Sequence, residues 1–307
     1  MTDLTRRSAF KAAGVLLSAV ATSAVATPTW EASAPQSAPR TPGEKFRHLL
    51  RTGPHQGVTV SDALMAQMSQ SRGFSWVGLG ARAVARAQFG FDYRVLTITE
   101  QVEMTGHVSE AIDIPVMTYV NDLGFNLLSV ARHVPLLEKA GAGAFMMDES
   151  FGAGRFGEIG EANLLTRQAM VEKIKCAADS RRDAATVVLA RSDDHDRNRS
   201  FDRLHAYADA GADCLFGTHL EYEDVAELAC NTGKTVMIGN KGDRVMTRED
   251  AQKIGATLVV SSSLHDVITN AITQELDRIH FGGPAQPSSG LPDKYREMAK
   301  KYDGVRS

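Results

Sequence analysis

Cysteine is scarce in this chain of 307 residues: it has only Cys176, Cys214 and Cys230, an odd and widely spaced set. None forms a Cys-x-x-Cys pair, so the sequence offers neither a zinc site nor a disulfide framework. Cys214, inside the apolar run Asp213-Cys-Leu-Phe216, is read as a small core residue. Charge of one sign is lacking as well. The formal net charge is −3, which removes the electrostatic case for a nucleic-acid partner. No internal repeat recurs at solenoid spacing. At 43% hydrophobic and 23% charged, the length suits one large domain better than two.

An apolar run long enough to remain in a bilayer is also missing from the N-terminus, where Ala12 to Ala21 falls short. What stands there instead is a leader. Thr5-Arg6-Arg7-Ser-Ala-Phe10-Lys11 supplies a twin-arginine region, the apolar run follows, and Ala24-Val25-Ala26 fits small-residue cleavage. Residues 1–26 therefore read as a signal peptide for the twin-arginine route. The Phe stands one place later than in the commonest pattern, which keeps Sec export open. Residues 27–42, rich in Ala, Pro, Ser and Thr, read as a disordered linker. The expected location is periplasmic or secreted, with no stable membrane insertion after cleavage.

From residue 43 onward, eight short apolar segments read as strands: Gly57–Val60, Ser75–Leu79, Pro115–Tyr119, Ala144–Met147, Thr186–Ala190, Cys214–Phe216, Thr235–Ile238 and Thr257–Val260. Most show no polar alternation, as expected of strands buried on both faces. Helical patterns such as Leu127–Ala140 and Phe201–Ala210 fill the gaps. Gly141, Gly211 and Gly255 close helices just before strands. Eight such units predict an α/β fold of the (β/α)8 barrel type, whose chemistry sits at the strand ends. Several strands do end in polar residues there, notably Met147-Asp-Glu149 and Ala190-Arg-Ser-Asp193. Beyond the eighth strand, Leu264–His280 continues as a helix. The linker Phe281-Gly-Gly-Pro-Ala-Gln-Pro-Ser-Ser-Gly290 breaks it, and Lys294–Tyr302 forms a last short helix. A helical extension, 283–307, detached in this way can pack on a neighbouring subunit.

Six ordered segments carry a family resemblance: Pro115–Asn126, Leu137-Glu-Lys-Ala-Gly-Ala142, Met147-Asp-Glu149, Ala190-Arg-Ser-Asp193, Ala210-Gly-Ala-Asp-Cys-Leu-Phe216 and Ile238-Gly-Asn240. Together they resemble the isocitrate lyase/phosphoenolpyruvate mutase superfamily over most of the mature chain. The resemblance implies a barrel with a helix swapped between subunits, hence a homo-oligomer, a dimer or a tetramer. It also implies Mg2+-assisted cleavage or rearrangement of C–C or C–P bonds in small 2-oxo and 2-hydroxy carboxylates. Such reactions pass through an enolate, whose charge a divalent cation stabilises. Mg2+, or Mn2+ in its place, takes oxygen ligands and keeps several waters.

On this pattern the metal ligands are Asp92, Asp122 and Asp148, with Glu149 the neighbouring acid. Arg191 is a fork able to clamp a substrate carboxylate; its plainer role is an ion pair with Asp193 or Asp194. Gly80 and Ala81 stand where the family has Ser-Gly, and their small size lets backbone N–H groups approach an anion. Asn240 is either a donor to a second carboxylate or a turn residue before Lys241-Gly242. His195 and His219 read as polar rim residues. Two departures are visible. The first acid of the family's Asp-x-Asp falls on Val120, or on Tyr119 under a shift of one. The loop Phe151-Gly-Ala-Gly-Arg-Phe-Gly157 has glycines suited to a mobile lid, but it lacks the Cys of isocitrate and methylisocitrate lyases, and Arg155 is its only charge. The expected activity is a Mg2+-dependent lyase that is neither of those two enzymes. The alternative is an inactive carboxylate-binding protein on the same barrel.

The leader generates a first prediction. Protein isolated from its native host should begin near Thr27 on N-terminal sequencing, and changing Arg6 and Arg7 to Lys should block export by the twin-arginine route. An intact Met1 or Thr2 would overturn the leader.

Overall fold

Apolar segments buried on both faces can satisfy their backbone groups only by pairing with one another. The computed structural model, which describes residues 41–90, 95–121, 123–149, 164–240, 245–261 and 264–284 without the side chain of His265, shows that pairing carried to closure. The chain divides after Ala38 into two units, and every described residue belongs to the second. Eight strands pair in parallel and in sequence order around a closed barrel. They are β1 (His55–Val60), β2 (Trp76–Leu79), β3 (Val116–Tyr119), β4 (Ala142–Asp148), β5 (Val187–Ser192), β6 (Cys214–Gly217), β7 (Thr235–Gly239) and β8 (Leu258–Ser261). The fold is a (β/α)8 barrel, and each strand overlaps the segment expected for it.

Ten helices are described. The first, α1 (Pro42–Thr52), precedes β1. Its start is fixed by Pro42 and by a capping box of Thr41 and Glu44, and Phe46 and Leu49 are buried. Phe46 meets Trp76 edge-on at 5.8 Å. Arg47 of α1 bonds Asp213 at 3.0 Å and the carbonyl of Ala185 at 3.1 Å, both just before strands. This helix thus plugs the N-terminal mouth of the barrel. Next come α2 (Ala63–Ser71), α3 (Ala81–Phe89) and α4 (Ile98–Ala111), the last two both between β2 and β3. They are followed by α5 (Leu127–Lys139), α6 (Arg167–Asp179), α7 (Arg197–Asp209), α8 (Tyr222–Thr232) and α9 (Arg248–Lys253). The last described helix, α10 (Leu264–Phe281), follows β8. No described helix is long and apolar enough to cross a membrane.

The core has two layers because a strand alternates its side chains. One layer fills the barrel: Trp76, Met117, Ala144, Met146, Leu189, Cys214, Met237 and Leu258 are buried there. The other lies between strands and helices and includes Phe145, Met147, Val188 and Ala190. Cys214 is in the inner layer, as expected of a small core residue, and burial pushes its thiol pKa up to about 12. Gly57 sits beside the Trp76 ring, and a Cβ there would come within 2.1 Å of it; glycine lets the largest inner side chain lie flat on β1.

Helix ends follow local chemistry. Gly141, Gly211 and Gly255, each read from the sequence as closing a helix, all have positive φ, the conformation that glycine takes without penalty. Asp196 caps α7 by accepting from the Arg199 N–H at 2.9 Å. The helix therefore starts four residues before the expected Phe201. The leader 1–26, the linker up to residue 40 and the terminal helix Lys294–Tyr302 lie outside the described residues.

Candidate active site at the C-terminal mouth

Alternation at the strand ends decides what faces the barrel's upper mouth. In register, Asp148 of β4 stands beside Arg191 of β5, and Arg191 beside Phe216 of β6. All three line a cavity of about 370 Å³, together with Thr59, Gly80, Ala81, Tyr119, Asn121 and Thr218. Of the residues expected to form the site, the structure brings together Gly80, Ala81, Asp148 and Arg191. Asp92, Asp122 and Arg155 lie outside the described residues.

Gly80 is the N-cap of α3 and brings no capping side chain, whereas α1, α4, α5, α6 and α7 all begin with one. That end of α3 lies at the cavity edge, with Gly80 and Ala81 in the wall, and its dipole favours an anion there. A Cβ on Gly80 would come within 2.5 Å of Thr59 Cγ2, so the Ser of the related motif would not fit without displacing that wall.

Arg191 donates through Nε and Nη2 to the two oxygens of Asp193, both at 2.8 Å. Its Nη1 points at Asp148, 3.8 Å away. Burial works against the guanidinium charge, but Asp193 and Asp148 more than offset it and raise its pKa. Both readings of Arg191 thus meet in one geometry: it is paired with Asp193, and it lines the cavity. Asp193 is itself fixed by Thr218, whose hydroxyl donates to it at 3.0 Å.

The neighbours of these residues point the other way. Glu149, the second acid of the Asp148-Glu149 pair, is fully buried behind the strands. It accepts from the Ser192 hydroxyl and the Asp193 N–H, both at 2.9 Å. Arg203 donates to it at 3.1 Å, as does the Tyr207 hydroxyl. Burial pushes the Glu149 pKa up, against the pull of the Tyr207 bond and the Arg203 charge. Glu149 is a structural acid and not a cavity ligand. Val120, one of the two positions offered for the missing family acid, is buried in the outer core; the residues that line the cavity here are Tyr119, at the end of β3, and Asn121, just beyond it. The signal for them was available by counting two residues at a time from the inward Met117.

Asn240 is also corrected. It lines a separate, apolar recess with Met65, Phe74, Val245 and Ile268, and its Oδ1 accepts from the Met246 N–H at 3.0 Å. It is the turn residue, not a donor into the cavity. His195 and His219 are exposed, as rim residues should be, and their rings stack at 3.8 Å.

The closed parallel barrel is what the sequence led one to expect, and its upper mouth gathers Asp148, Arg191 and the start of α3. A family model described as phosphoenolpyruvate phosphomutase matches residues 46–280. The chain belongs to this family. Among its relatives, a 2-methylisocitrate lyase of Salmonella typhimurium is 31% identical over 182 residues, 57% of this chain and 61% of that protein. The match thus spans somewhat less than two thirds of that relative's length. An oxaloacetate decarboxylase of Bradyrhizobium diazoefficiens is 27% identical over 81% of this chain and 88% of that one. Among solved structures, a phosphonopyruvate hydrolase in complex with oxalate and Mg2+ superposes with a TM-score of 0.72 at 19% identity, covering 87% of this chain and 96% of the other. At that identity the likeness shows a shared barrel.

Could the cavity hold a divalent cation of the kind found with that hydrolase? Among the described residues, no three His, Cys, Asp or Glu side chains cluster as a metal site. Among the described residues, Asp148 is the one carboxylate of the inner mouth; the other described cavity acid, Asp266, is exposed on α10 and pairs with Arg86 at 3.7 Å. Neutral oxygens of Thr59, Asn121 and Thr218 line the same cavity. Mg2+ needs few protein carboxylates and keeps several waters, so this donor set fits an ion held through Asp148 and water, in competition with Arg191.

Removing the Glu149 carboxylate tests the frame of the site. Glu149→Ala leaves Arg203 and the Tyr207 hydroxyl without their shared acceptor in the interior, and is expected to cost about 3–5 kcal/mol of stability. Urea unfolding would measure this. A loss below about 1 kcal/mol, the range of an exposed pair, would show that the network does not hold the strand ends.

Proposed function

We propose that this protein is an exported lyase-type enzyme of the phosphoenolpyruvate phosphomutase family. It would cleave or form a C–C or C–P bond in a small 2-oxo or 2-hydroxy carboxylate, through an enolate. The observation that carries the reading is the pairing of Asp148 with Arg191 on adjacent strand ends of one cavity. The names of the relatives, lyase, decarboxylase and hydrolase, support the reaction class. The paired arginines near the N-terminus support export.

In this reading Arg191 receives a substrate carboxylate on the edge turned to the cavity, while Asp193 fixes its plane. The positive end of the α3 dipole, at Gly80 and Ala81 in the same cavity wall, favours a second anionic oxygen. Asp148, with Asp92 and Asp122 as further candidates, would hold Mg2+ or Mn2+. Such an ion would supply charge stabilisation for an enolate.

The absence of a loop Cys speaks against a methylisocitrate or isocitrate lyase. The second reading, a carboxylate-binding protein without turnover, is favoured by the single inner-mouth carboxylate among the described residues. A panel of 2-oxo acids, malates and phosphonates followed by NMR separates the two, since only an enzyme converts one of them. Arg191→Ala should cost about 2–4 kcal/mol of ligand affinity with the fold intact. Asp148→Asn should weaken Mg2+ binding, measured by calorimetry with and without oxaloacetate. If neither substitution changes ligand binding, metal binding or turnover, these residues are ordinary strand-end polar groups and the enzyme reading fails.

We further propose a homo-oligomer, a dimer or tetramer, with the chain's C-terminal helices exchanged between subunits. Ile272, Leu276 and Ile279 on α10 are exposed at helical spacing, and Val267 and Phe281 extend the exposed apolar surface. A second copy is the occupant that the resemblance implies. Light scattering at micromolar concentration should give two or four chains; a monomer would overturn this.

A further inference from the structure

The end of β3 and the turn after it put two residues in the cavity wall, Tyr119 and Asn121. They are spaced by two, as are the paired acids of the related motif, yet neither is an acid. Tyr119 packs its ring against the inner core layer. Its hydroxyl lies 3.4 Å from Thr59 Oγ1, a long contact in which either oxygen can donate. The phenol therefore has a weak partner and a proton to offer.

Room for it comes from Gly78 and Gly80. A Cβ on Gly78 would come within 2.8 Å of the Tyr119 hydroxyl, and one on Gly80 within 2.5 Å of Thr59. The sequence Gly78-Leu79-Gly80 is thus shaped around the phenol and its neighbour. Burial raises the Tyr119 pKa, and the Thr59 bond and the Arg191 charge only partly oppose this, so at neutral pH the phenol keeps its proton. Tyr119 and Arg191 both line the cavity, and both side chains carry hydrogen-bond donors. Donors suit an anion.

We propose that Tyr119 is a substrate-binding residue whose hydroxyl donates to an oxygen of a small carboxylate ligand held beside Arg191, so that the cavity grips such an anion without a metal ion between them. This rests on the reading of the cavity as the carboxylate site. It goes further by assigning a residue and by separating anion binding from metal binding.

The test is calorimetry of the full mature chain with oxalate, once in EDTA and once in excess Mg2+. The wild type should bind in EDTA, with an affinity that Mg2+ changes less than about threefold, under 1 kcal/mol. Tyr119→Phe keeps the ring and its packing but lacks the donor, and should weaken oxalate by about tenfold to a hundredfold in EDTA, the range for a hydrogen bond to a charged group. Gly78→Ala keeps the hydroxyl but pushes it aside, and should weaken binding in the same direction. Thermal melts of both variants would report whether the fold is kept.

Binding by the wild type only in Mg2+ would overturn the proposal. So would wild-type affinity in a folded Tyr119→Phe, while loss of binding in Arg191→Ala would leave the cavity reading standing. If Arg191→Ala binds as well as wild type, or wild type binds oxalate in neither buffer, the cavity reading itself fails and takes this assignment with it.

Discussion

The carboxylate of Glu149 is the constraint on which the mouth of the barrel depends. It ends β4, yet it bonds the Ser192 hydroxyl and the Asp193 N–H at the end of β5, and Arg203 and Tyr207 of α7. One buried acid thereby joins two strands and a helix. Its own backbone carbonyl accepts from Leu165 at 2.7 Å, and Arg203 donates to the Leu165 carbonyl at 3.0 Å. The chain thus returns to the barrel at a point set by the same network. An isolated carboxylate could not stay charged here, which is why burial raises its pKa even with Arg203 beside it. Four donors share the acid, and removing it leaves them in the interior without their shared partner.

From that anchor the geometry of the cavity follows. Holding the Asp193 N–H fixes where the Asp193 side chain begins, and Thr218 fixes where it ends. Asp193 then sets the plane of Arg191 through two parallel bonds. The guanidinium can present only one edge to the cavity, beside Asp148. Rigidity of this kind lowers the cost of binding, because the cation need not be reorganised when an anion arrives. A paired arginine is a weaker attractor than a free one, however. The hydroxyl of Tyr119 and the dipole of α3 therefore matter more to an anion here than they would beside an unpaired cation.

Much of the fold was legible because its signals are local. Strands are marked by continuous apolar runs such as Val187–Ala190, and Gly141, Gly211 and Gly255 mark helix ends through their backbone conformation. The start of α7 was hidden, since Arg197-Asn-Arg-Ser200 is polar and shows no periodicity until Phe201; the capping Asp196 was the clue. Pro135 sits inside α5 and did not end it.

The site was less legible, and for a physical reason. A strand that is apolar on both sides carries no alternation to say which face is which, so Asp148 and Glu149 looked alike although the pleat sends one to the cavity and the other behind the sheet. The same ambiguity made Val120 as plausible as Tyr119. Only the register of β3 against β4, Tyr119 opposite Met146, places the phenol inside. Asn240 failed differently. A polar residue at the end of a strand can face the mouth or tie down the following turn, and both demands select Asn; the bond to Met246 decides for the turn. Strand-end polarity therefore locates the rim of a barrel site from sequence. The parity of each residue relative to an inward neighbour decides its chemistry, and that parity can be counted wherever one inward position, such as Met117, is known.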